Sequence, residues 1–158
     1  MMSTQPQALL TGGCYCGHVK YYSTSLPDEL SNCHCSICRK LSGAPFLTFG
    51  RFPVPAITWV SGSESLKRKS YSDVAERTHC AECGSPISMQ YKSSPDRISI
   101  TAGSINEESI KGPLPKIKEH IFLDQSKKPG WYDLPEDGLP RVRNIKAKNS
   151  LIPDGFHD

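Results

Sequence analysis

Seven cysteines divide into three tight groups along a chain of 158 residues: Cys14 and Cys16, then Cys33, Cys35 and Cys38, then Cys80 and Cys83. An odd count rules out complete disulfide pairing within one chain, and C-x-C and C-x-x-C steps are ligand-like spacings. Zinc prefers four tetrahedral ligands, and a C-x-x-C turn can bring two sulfurs to ~2.3 Å from one ion. Seven thiolates complete one four-sulfur site and leave three over, the count expected for a closed structural ion plus an open, reactive one. We therefore expect two zinc ions per chain.

The run Cys33-His34-Cys35-Ser36-Ile37-Cys38 can supply three ligands from a single loop, which leaves Cys14, Cys16, Cys80 and Cys83 for the other site. That second site would clip the start of the chain to its middle. Structural zinc of this kind contributes about 10–16 kcal/mol in small peptides at neutral pH. An alternative closes the three-cysteine loop with a histidine, His34 or His79, each directly beside a cysteine. Adjacent side chains of an extended segment point to opposite faces, so joint ligation by such a pair is awkward. A redox C-x-x-C pair belongs near a βαβ pattern, and none is found.

The rest of the chain reads as one soluble globular domain, with 37% hydrophobic and 22% charged residues. Its 13 prolines and 12 glycines cut it into short segments that bury a modest core, so metal binding supplements the packing. Strand signals occur at residues 18–22, 46–49, 57–60, 85–91, 97–100 and 116–122, each β-branched or aromatic and bounded by turn residues. One short helix is expected at 36–41, ended by Ser42-Gly43. The predicted fold is mainly β: a small zinc-stabilised domain over 11–140 with at most one or two short helices, a frayed start at 1–10 and a tail at 141–158.

The net charge of +3 is weak and dispersed, which argues against a nucleic-acid partner, and Lys67-Arg68-Lys69 reads as the solvated edge of a strand. No apolar run approaches the roughly 20 residues of a membrane span. The opening MMSTQPQALLTGG lacks a basic start and an apolar middle. A cytoplasmic protein with no membrane partner is expected, and its reducing surroundings favour metal binding over disulfides.

The elements Gly12-Gly13-Cys14-Tyr15-Cys16-Gly17, Cys33-His34-Cys35-Ser36-Ile37-Cys38-Arg39, Cys80-Ala81-Glu82-Cys83-Gly84-Ser85, Gly103-Ser104 and Pro129-x-Trp131 resemble the glutathione-dependent formaldehyde-activating enzymes, also called the centromere protein V family, over about residues 12–140. The resemblance implies a β-tent-like fold in which Cys14, Cys16, Cys80 and Cys83 hold a structural zinc and Cys33, Cys35 and Cys38 a catalytic one. It further implies a carbon–sulfur lyase that joins the glutathione thiol to formaldehyde, giving S-hydroxymethylglutathione. The expected partners are glutathione or another small thiol, together with an aldehyde.

An ion with three thiolates carries a net charge of about −1, so it generates hydroxide poorly but can still deprotonate a thiol. Sulfur is the expected nucleophile, with a nearby acid protonating the developing alkoxide. Arg39 and Lys40 follow the third cysteine and can offset the charge or hold a glutathione carboxylate, or can form a solvated helix face. His120 can donate a proton or line the pocket, or can be a satisfied core histidine. Trp131 and Tyr132 can wall the pocket or cover the core. The competing reading is a non-enzymatic zinc-binding interaction module with both sites structural; its concentrated basic or apolar surface is not evident in the sequence.

Overall fold

The computed structural model describes residues 7–123, 130–143, 146–147 and 150–151. Among the described residues, eleven strands and one α-helix carry the two larger sheets: β1 (Leu10–Gly13), β2 (Lys20–Ser23), β3 (Glu29–Cys33), α1 (Ser36–Ser42), β4 (Leu47–Pro53), β5 (Ile57–Ser61), β6 (Leu66–Ser72), β7 (Ala75–Cys80), β8 (Pro86–Tyr91), β9 (Arg97–Thr101), β10 (Ile117–Ile121) and β11 (Arg141–Val142); Lys146–Ala147 and Ser150–Leu151 pair separately as a two-stranded sheet. A three-stranded antiparallel sheet has the order β1-β2-β5. A second sheet has the order β11-β10-β3-β4-β9-β8-β7-β6, antiparallel except where β10 runs parallel to both β3 and β11.

The register of the large sheet sorts its side chains into two cores. Gly50 lies opposite Ile100 and Phe52 opposite Ile98, so these residues share one face. Phe52 and Ile100 join Leu10, Val19 and Tyr21 of the small sheet or its approach, and that cluster also takes in Cys14 and Cys80. Tyr21 meets Trp59 edge-on, with ring centroids 5.8 Å apart. Phe49, one residue out of phase with Gly50, packs instead with Met89, Ile121, Cys33, Cys35 and Cys38. Each apolar cluster thus carries cysteines of one predicted site.

All six predicted strands and the helix are present, with shifted ends, and Lys67-Arg68-Lys69 lies exposed on the edge strand β6. Strands β1, β3, β6, β7 and β11 are additional. β3 and β7 have polar residues in their inward phase, and those residues find partners only across the sheet: Asn32 accepts from the Thr48 hydroxyl at 2.7 Å, and Thr78 and Ser88 share a 2.6 Å hydrogen bond. Two boundaries move. Leu10 is fully buried in β1 and the Leu9 amide donates to Ser23 O at 2.7 Å, so the ordered start precedes residue 11. Arg141 and Val142, expected in the tail, pair with His120 and Ile121; a two-residue strand is too short to show a period. Residues 1–6, Lys127, Lys128, Pro129 and residues 152–158 lie outside the described residues. No described helix is long and apolar enough to cross a membrane.

Candidate metal centres

The first cluster is built from two similar turns. The Cys14 amide donates to Val19 O and the Cys80 amide to Ser85 O, both at 3.0 Å, so each turn closes five residues beyond its first cysteine. Gly17 and Gly84 return their amides to the carbonyls of Cys14 and Cys80, and both adopt φ of 75°, a left-handed conformation that glycine reaches without strain. Ser85 ties the turns together: its hydroxyl accepts from the Tyr15 amide at 3.0 Å and lies 3.1 Å from Cys83 Sγ. The Ser85 hydroxyl, then the backbone amides of Cys16 and Ser85, hold the Cys83 thiol down at about 5.

The four sulfurs of Cys14, Cys16, Cys80 and Cys83 lie within 4.8 Å of one another, with Cys14 to Cys16 at 3.4 Å and Cys16 to Cys80 at 3.9 Å. Tetrahedral zinc with ~2.3 Å bonds separates its sulfurs by roughly 3.8 Å, so this donor set fits the ion in both number and spacing. Cys14 and Cys80 are buried, whereas Cys16 and Cys83 face solvent.

The second cluster sits where β3 passes into α1. Cys33 ends the strand, Cys35 caps the helix by accepting from the Cys38 amide at 3.4 Å, and Cys38 faces inward from the first turn. All three are buried, and their sulfurs lie within 4.8 Å of one another. Among the described residues, no histidine or carboxylate places a ligand atom within that distance of all three, so neither His34 nor His79 closes the cluster. Contact with Cys33 and Cys38 holds the Cys35 thiol far below its usual range.

A cation stands against this cluster that was not singled out in the sequence. Arg77 of β7 is only 6% exposed, and its Nη2 donates to Cys38 Sγ at 3.7 Å. Its Nε and Nη1 are buried with no hydrogen-bond partner. Burial alone would lower the guanidinium, but the Cys38 and then Cys35 charges more than offset it. The available signal was phase, since Arg77, two residues on, shares the strand face of the buried Ala75. Arg77 also lines a pocket of about 180 Å³ with Leu41, Leu47, Phe49, Tyr71 and Ser88.

On the other side, the His34 amide bonds Ile121 O at 3.0 Å, which sets His34 beside β10. His34 Nε2 lies 2.9 Å from His120 Nδ1, and His120 Nε2 lies 2.8 Å from Asp137 Oδ2. Burial, and then the His120 ring, push His34 down to about 4. The Phe46 ring packs against His34 at 5.1 Å and reaches Tyr132 at 6.5 Å. His120 is therefore a satisfied, buried histidine one hydrogen bond from the cysteine loop, and Asp137 is a further residue that the sequence did not indicate. Arg39 is half-buried with its Nε unpaired, Lys40 is exposed on α1, and Trp131 is 68% exposed against Tyr132.

The sequence model of the glutathione-dependent formaldehyde-activating enzymes matches residues 9–125, a span that contains every cysteine of both clusters. The chain belongs to this family. A Schizosaccharomyces pombe protein described as an uncharacterized lyase is 31% identical over 80 residues, covering 51% of this chain and 56% of that protein. A Halomonas elongata protein whose name assigns it provisionally to the glutathione-dependent formaldehyde-activating enzymes is 26% identical over 132 residues, covering 80% of this chain and 81% of that one. A Rhodobacter sphaeroides crystal structure superposes with a TM-score of 0.53 at 22% identity, over 66% of this chain and 97% of that one, which is a likeness of fold.

Proposed function

We propose that this member of the formaldehyde-activating enzyme family is a zinc-dependent carbon–sulfur lyase that joins the glutathione thiol to formaldehyde or a related small aldehyde. The carrying observation is the buried cluster of Cys33, Cys35 and Cys38, three thiols that converge with no fourth ligand among the described residues. Zinc held there would keep one position for an incoming thiol and favour its thiolate form. Zinc at Cys14, Cys16, Cys80 and Cys83 would be structural, as a complete four-sulfur set implies.

The addition forms one S–C bond and converts the C=O into C–OH, and the thiol proton ends on the alkoxide oxygen, so no oxidant is needed. Phe46 packs against His34, and Phe49 packs with the three cysteines, which would help to keep water from the reacting sulfur. Arg39 and Lys40, in the last turn of α1, would meet glutathione carboxylates, and Trp131 offers an exposed apolar face beside Tyr132. His120 acts through its bond to His34. A reducing, glutathione-containing compartment such as the cytoplasm suits seven free cysteines.

The test is to titrate glutathione into zinc-loaded protein, following the metal by X-ray absorption and added formaldehyde by its consumption. A fourth zinc–sulfur scatterer at ~2.3 Å, with consumption above the spontaneous rate, is the expected result. An unchanged spectrum at millimolar glutathione would overturn the reading and leave an interaction module with two structural sites. Ligation without acceleration would make the chain a glutathione carrier and overturn the lyase.

A further inference from the structure

We infer that Arg77 is the buried counter-charge of the three-cysteine cluster and that it makes the cluster selective for an anionic, thiolate ligand. The inference rests on the metal-centre reading above and goes beyond it. An ionised group is kept in a protein interior only where it is paired and hydrogen-bonded. Arg77 is 6% exposed, and among the described residues no carboxylate forms an ion pair with it. What its guanidinium does touch is Cys38 Sγ, at 3.7 Å.

Charge then decides what the site can accept. Three thiolates and a divalent cation sum to about −1, and a fourth thiolate would bring the buried site to about −2. Arg77 raises both totals by one unit, to neutral and about −1. The four-cysteine cluster needs no such partner, because Cys16 and Cys83 open it to solvent. Position supports selection as well as stability: Arg77 lines the 180 Å³ pocket and also touches Cys38 Sγ, so one side chain meets both the cavity and the cluster. Lys40, exposed on α1, cannot substitute for it in the interior.

The experiment loads the full chain with cobalt(II), whose visible spectrum reports sulfur ligation, and compares wild type with Arg77→Met and Arg77→Lys. Metal stoichiometry, chelator competition, and the affinity of the bound ion for mercaptoethanol against imidazole are measured. The expected Arg77→Met protein keeps the ion of the four-cysteine cluster, which shows that it is folded. It loses about 10–100-fold in affinity for the second ion, the usual range for residues one shell out from a metal. Its preference shifts from mercaptoethanol to the neutral imidazole, which a merely structural role would not produce. Arg77→Lys, which retains the charge, should recover most of both effects. Arg77→Met with wild-type affinity and unchanged preference would overturn the inference. If Arg77→Met retains no ion because it does not fold, Arg77→Lys decides: loss of the second ion there as well would overturn the charge role. Wild type that takes up a single ion would overturn the two-centre reading itself, a different result from either.

Discussion

His34 and His120, 86 residues apart in sequence, share a buried 2.9 Å hydrogen bond between Nε2 of the first and Nδ1 of the second. The Asp137 carboxylate can only accept, so His120 donates from Nε2, and in the neutral His120 ring Nδ1 is then an acceptor. His34 must then donate from Nε2, which leaves its Nδ1 with the lone pair. A solvent-facing carboxylate thereby fixes the tautomer of a ring placed between two cysteines of the second cluster.

His120→Leu should therefore strand the His34 N–H in a buried site and cost about 1–3 kcal/mol in urea unfolding. Asp137→Ala should cost less, because its carboxylate stands in solvent and water can replace it. Nitrogen NMR of Asp137→Ala should show mixed tautomers for both rings. An unchanged single tautomer would mean that the order is imposed from His34 outward.

The two clusters should respond differently to loss of a sulfur. Cys80→Ser would remove a sulfur from the cluster that joins the β1–β2 turn to the end of β7, and loss of a structural zinc held there would forfeit a substantial part of about 10–16 kcal/mol. That protein should be unfolded or insoluble. Cys35→Ser should fold and carry one fewer ion, as read by elemental analysis and thermal melting. The reverse order of melting would exchange the roles of the sites.

Tyr21 offers a pH signature in which no cysteine takes part. Burial pushes its hydroxyl up to about 12, against a weaker opposing effect of the Ser104 hydroxyl at 2.9 Å. The folded state therefore holds a proton that the unfolded chain releases near its ordinary pKa of about 10. The stability contributed by the neutral phenol is complete below about pH 10 and is lost as pH rises towards about 12. The urea midpoint of Tyr21→Phe should fall less steeply than that of wild type across this window, although it starts lower for want of the Ser104 bond. Parallel curves would show that Tyr21 ionises freely in the folded protein.

Residue type and spacing alone were enough to group Cys33, Cys35 and Cys38 and to mark two further cysteine turns, because thiols supplied from one turn are local. They were also enough for strands such as β5 and β9, where β-branched and aromatic side chains announce a pleated, half-buried surface. The end of α1 at Ser42 was legible for the same reason, since a helix terminus depends on the next residue or two.

Only the tertiary structure decided where Arg77 and Asp137 would act. In sequence Arg77 is one charge in the polar run Ala75-Glu76-Arg77-Thr78-His79-Cys80, and only its phase with Ala75 separates it from its exposed neighbours on β6. Its burial depends on strand pairing that stacks β7 between β6 and β8 and carries its side chain to Cys38, 39 residues away. Asp137 likewise reaches His120 because β11 docks parallel to β10 and brings the preceding loop alongside. A buried polar residue is tolerated only when its partner is in place, and here each partner comes from a distant strand or helix.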